Sequence, residues 1–79
     1  MVTFKEFKEM LKHCAPDVTI KTTDHHNWIE RGTLAYKSFP NWGHGGDKNE
    51  IENGHIRKVV RLLNIPKDCA KQYLLSVFN

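Results

Sequence analysis

Residues 18–39 alternate with the period of a β-strand, between two stretches that repeat with the period of a helix. That order leaves few folds open. VTIKT (18–22) is β-branched and alternating, so it reads as a strand. HNWIER (26–31) and LAYKSF (34–39) flank Gly32-Thr33, the pattern of a hairpin closed by a tight turn. With TDH as the turn before the second strand, the middle of the chain becomes a three-stranded antiparallel meander.

Helices are expected on both sides of it. Thr3 and Glu6 have the T-x-x-E spacing of a capping box, in which each side chain satisfies the other's backbone amide. Phe4, Phe7, Met10, Leu11 and Cys14 then mark one apolar face, and Pro16 ends the helix. Residues 40–50, PNWGHGGDKNE, read as a loop, long for a small domain. Asn53 is placed to cap a second helix, with Ile56, Val59, Val60 and Leu63 on its apolar face. Pro66 fits the first turn of a short last helix, with Ala70, Tyr73, Leu74, Val77 and Phe78 facing the core.

The fold class is therefore α+β: α-β-β-β-α with a short C-terminal helix. Its three-stranded antiparallel sheet carries helices on one face and leaves the other to water. This is a layer arrangement of the double-stranded-RNA-binding type. Residues 1–79 make a single domain, too small for a deep cleft between domains. Any activity belongs on an exposed surface, in a shallow groove, or with a partner.

No run of about 18 apolar residues is present, so no membrane span is expected. MVTFKEFKEM lacks the basic-then-apolar order of a secretory leader. Cys14 and Cys69 stand apart with no partner motif and are expected to be buried reduced thiols, which points to the cytoplasm. The net charge of +3 is uneven. Residues 55–79 carry five basic residues (Arg57, Lys58, Arg61, Lys67, Lys71) against one acid, while residues 16–54 carry four against six. A basic last third suits a polyanion such as RNA, or simply a solvated helix face.

TTDHHNW (22–28) holds the densest chemistry. Imidazole titrates near neutrality and can move protons. Successive strand residues point to opposite faces, so His25 and His26 share one target only if the strand starts between them. His25 is then a turn residue. Trp28 shares the face of His26, where it can stack a base or pack in the core. Lys21, Arg31 and Lys37 stand on or near the sheet. Arg57, Lys58 and Arg61 form a basic face on the second helix, and all six cations are candidate phosphate contacts. His44, Asp47 and His55 lack the tight spacing of a structural zinc site, so no metal is expected.

These residues resemble the HicA (YcfA-like) toxins. Thr23-Asp24-His25-His26 stands where that family has a Gly-Ser-His-His-like segment entering its second strand. Phe39-Pro40 and His44-Gly45-Gly46 match its Pro and His-Gly loop, and Glu50-Ile51 followed by GHIRKVVRLLNI (54–65) its Glu-Ile…Gly…Arg-Lys-Ile-Leu pattern. The resemblance implies a double-stranded-RNA-binding-like fold and metal-independent cleavage of messenger RNA without a cofactor. It also implies one essential histidine, at the position of His26, and inhibition by a HicB-like antitoxin protein. Asp24, replacing the family's small residue, could orient a histidine. Two other readings suit the same residues: an RNA-binding module that does not cut, and a domain that docks an acidic protein.

Overall fold

The computed structural model describes residues 2–41 and 43–78, with residues 43–45 described by backbone alone. Among them are strands β1 (Val2–Thr3), β2 (Thr19–Thr22), β3 (His26–Arg31), β4 (Leu34–Pro40) and β5 (Glu50–Ile51). Helices α1 (Phe4–Cys14), α2 (Asn53–Leu62), α3 (Lys67–Tyr73) and α4 (Leu75–Phe78) complete the α+β arrangement, with a 3-10 segment at Gly43–Lys48.

The capping box forms as its spacing requires. The Glu6 amide donates to Thr3 Oγ1 at 3.3 Å, and the Thr3 amide donates to Glu6 Oε1 at 3.0 Å. The Thr3 backbone and hydroxyl hold the Glu6 carboxyl below its usual range. Phe4, Phe7, Met10 and Leu11 are buried along one face of α1. Burying a side chain of this size contributes about 1.5–3 kcal/mol.

Strands β2, β3 and β4 pair antiparallel in that order, with Ile20 opposite Ile29 and Lys21 opposite Trp28. The turn between β3 and β4 has Gly32 at φ 60°, a conformation that side chains resist. The β3–β4 register shifts between Asn27↔Phe39 and Ile29↔Tyr36. Two residues, Lys37 and Ser38, thus oppose Trp28 alone. This bulge lets Tyr36 and Phe39, three apart, both turn into the core. There the Phe39 ring stacks on Phe7 of α1 at 4.8 Å.

Helix α2 buries Ile56, Val59 and Val60, and its packing on β4 includes a 2.8 Å hydrogen bond between the Tyr36 hydroxyl and His55 Nδ1. Arg31 joins the sheet to the end of α2. Its Nη1 donates to the carbonyls of Leu63 and Asn64, both at 3.1 Å, and its Nε donates to Asp17 at 2.9 Å. Arg57 Nε donates to the Val77 carbonyl at 3.0 Å and ties α4 to α2.

Several expectations need correction. Cys14 and Cys69 are not free thiols: they form a disulfide between α1 and α3, with Cα atoms 5.7 Å apart. Their 55-residue separation hid the pairing, because only folding brings the two helices together. Glu52, not Asn53, is the N-cap of α2, and its side chain makes no capping hydrogen bond. The last helix is broken at Leu74 into α3 and α4. Tyr73 is not core: it is 43% exposed and stacks on His13 at 4.8 Å. Finally, β1 and β5 make a small antiparallel ladder, Val2 opposite Ile51, where the sequence reads as helix start and loop.

Candidate nucleic-acid interface

The face of the sheet away from the buried side chains is built by strand alternation. Along β3, Asn27 and Ile29 point into the core, while His26 and Trp28 point out. From β2 and β4, Lys21 and Lys37 reach the indole of Trp28, their ammonium groups 5.3 Å and 4.8 Å from a ring centroid. Each lies in the range of a cation–π contact. Trp28 is thus an outer-face aromatic held between two cations, not a core residue. A base can stack on it by displacing a lysine head group, which is then free to meet a phosphate.

His26 is the first residue of β3, and its backbone is fixed from both sides. Its amide donates to Thr23 Oγ1 at 3.1 Å, and its carbonyl accepts from the Thr23 hydroxyl at 2.7 Å and the Thr23 amide at 2.9 Å. Asn41 Nδ2 donates to the Thr23 and Asp24 carbonyls, both at 3.3 Å, and closes the other side of the turn. Thr23 thus fastens the strand entry through its hydroxyl.

Sequence reasoning passed over Asn27. It is fully buried, yet both ends of its amide are used: Oδ1 accepts from Thr22 Oγ1 at 2.8 Å, and Nδ2 donates to the Pro40 carbonyl at 2.9 Å. One side chain therefore links all three strands beside His26. An unpaired buried amide would cost about 1–3 kcal/mol, so the satisfied one fixes register there. Its signal in the sequence was a polar residue at an inward position of a strand.

The His25 and His26 side chains are exposed, and neither has a hydrogen-bond or ion-pair partner among the described residues. Asp24 is not bonded to either. His25 lies in the turn before β3, as alternation requires.

The structure gathers His26, Lys21, Trp28 and Lys37 on the open face, with His25 at its edge. It does not bring the other cations there. Arg31 is spent on Asp17 and the end of α2, and its guanidinium holds the Asp17 carboxyl below the usual range. Arg57, Lys58 and Arg61 lie on the outer side of α2, whose buried stripe packs on the other face of the sheet. His55 is engaged by Tyr36 and Asp47 by Lys8 at 2.6 Å; the His44 side chain lies outside the described residues. Among the described residues, no three of His, Cys, Asp and Glu gather as metal ligands would. No described helix is long and apolar enough to cross a membrane. No family model, curated protein or solved structure matches the chain.

Proposed function

We propose that the chain is a metal-independent endoribonuclease of the HicA kind, a toxin that cleaves messenger RNA and is neutralised by a HicB-like antitoxin. The observation that carries this reading is the placement of His26. It is exposed at a strand entry fixed by Thr23 and Asn27, on the same face as the Lys21–Trp28–Lys37 cluster. Helices on one side of a three-stranded antiparallel sheet also suit a double-stranded-RNA-binding-like fold.

RNA supplies its own nucleophile. The 2′-oxygen attacks the adjacent phosphorus, the P–O2′ bond forms, and the bond to the 5′-oxygen breaks, leaving a cyclic phosphate. Neutral His26 accepts the 2′-hydroxyl proton, or its imidazolium donates one to the departing 5′-oxygen; water or His25 completes the other transfer. Lys21 and Lys37 offset charge building on the non-bridging oxygens, and Trp28 stacks the neighbouring base. An accessible histidine of this kind contributes about 10²–10⁴-fold in rate.

A cytoplasmic messenger substrate places the chain in a reducing compartment. The core of Phe7, Phe39, Met10, Ile29 and Ile56 must then hold the fold without the Cys14–Cys69 bond.

The test is cleavage of a mixed RNA by purified protein in EDTA, wild type against His26→Ala. The expected result is cleavage by wild type alone. Equal cleavage by both, or activity that disappears with EDTA, would reject the assignment.

A further inference from the structure

The cations that the open sheet face does not use have a place of their own. The outer side of α2, Ile65 and the start of α3, and α4 enclose an open groove of about 660 Å³. Its floor is apolar: the edges of the nearly buried Val60, Ile65 and Val77, and the half-buried ring of Phe78. Its rim is cationic: Arg57, Lys58, Arg61 and Lys67, with no acidic residue among the lining side chains. The Arg57–Val77 hydrogen bond fixes the wall by joining α2 to α4. Lys58 and Arg61 are exposed and have no ion-pair partner among the described residues.

We propose that this groove docks a short acidic segment of a partner protein, anchored by a bulky apolar side chain between its carboxylates. Charge complementarity selects the acids, because the rim offers four positive groups and no negative one. The floor selects the anchor, because a pocket lined by aliphatic and aromatic groups gains from apolar burial. A nucleic acid satisfies the rim, but the floor offers its bases a single aromatic ring, Phe78, among aliphatic groups, so a peptide with an apolar anchor suits both halves of the site better. The groove lies on the helical side of the molecule, and its occupant leaves His26 and Trp28 uncovered.

The test pans a random linear-peptide phage library on the immobilised, folded protein. Selected peptides are then synthesised with a fluorescent label and titrated. The expected peptides carry Asp or Glu around a Leu, Phe or Trp, and they shift backbone amide signals of Gly54–Arg61, Ile65 and Val77. Lys58→Glu/Arg61→Glu is expected to weaken them by at least about tenfold, and Lys58→Gln/Arg61→Gln by an intermediate factor. Thermal melts of each variant, expected to match wild type, separate lost binding from lost fold. Absence of enrichment, selected peptides without acids, shifts confined to the sheet face, or unchanged affinity in a folded double variant would overturn the proposal. So would labelled oligouridylate that binds more tightly than any selected peptide, shifts Gly54–Arg61 and loses that binding in the double variant, which would assign the groove to nucleic acid.

Discussion

The Tyr36 hydroxyl lies 2.8 Å from Nδ1 of His55, so one hydrogen bond joins β4 to the first turn of α2. It explains why a histidine tolerates a half-buried place between sheet and helix. It also explains why His55 is not available for chemistry on the open face. Tyr36→Phe removes the bond and leaves His55 with an unmet ring nitrogen. The expected cost is about 1 kcal/mol, read as a lower urea midpoint at unchanged slope. Burial pushes the Tyr36 phenol above its ordinary range. Its contribution is present below that ordinary range and is lost as pH rises through the raised value. The gap between wild type and Tyr36→Phe should therefore narrow in strong alkali; a constant gap would separate the phenol from the effect.

Arg31 was legible as a cation on the sheet, but the structure makes it a strut. Arg31→Ala is expected to lose about 2 kcal/mol, because two carbonyls at the end of α2 and one carboxylate lose their donor. RNA affinity per folded molecule should not change. Lys37→Ala and Trp28→Ala should show the reverse, little change in melting and several-fold weaker RNA binding in a filter or anisotropy assay. If Arg31→Ala weakens RNA binding while its melt is unchanged, the division between strut and interface is wrong.

The difference between these residues shows where sequence reasoning stops. Strand β3 was legible to the residue, because alternation and the glycine turn are local signals. The capping box was legible for the same reason. Arg31, the Cys14–Cys69 bond and the β1–β5 ladder depend on which distant segments meet, and local periodicity carries no such information. Tyr73 has helical spacing from Ala70, yet the helix breaks at Leu74, and the ring ends on His13 instead. For the candidate site, alternation put His26 and Trp28 on one face and left open whether Trp28 packs in the core. The cation pair around Trp28 needed the register.

Thr3→Ala tests the helix start. At neutral pH it should cost about 1 kcal/mol, the usual worth of such a cap. The Glu6 carboxyl is held below its normal range by the Thr3 amide and hydroxyl. The stability it brings is present above that range and is lost as pH falls through the depressed value. Urea midpoints of wild type and Thr3→Ala should converge in acid. Divergence would mean that Glu6 does not complete the box.

The disulfide closes 55 residues of sequence separation, and chain-entropy arguments give such a link about 4 kcal/mol. Cys14→Ala/Cys69→Ala, or dithiothreitol treatment of wild type, should lower the unfolding midpoint by a corresponding amount. RNA cleavage at temperatures below that midpoint should persist, since His26 lies on another element. Identical midpoints with and without reductant would show that the bond does not form in solution.

The bulge at Lys37 and Ser38 makes strand length, as well as residue type, a variable in β4. Two side chains stand on the open face where regular alternation has one. Deleting Ser38 leaves Tyr36 and Phe39 two apart, a spacing that regular alternation still turns to the same side, so Phe39 keeps Phe7 and the Pro40 carbonyl keeps Asn27. Deleting both puts Tyr36 and Phe39 side by side on opposite faces, and Phe39 would leave Phe7 for solvent. A one-codon deletion here is thus a mutation of the outer layer alone, and a two-codon deletion is a mutation of both layers at once.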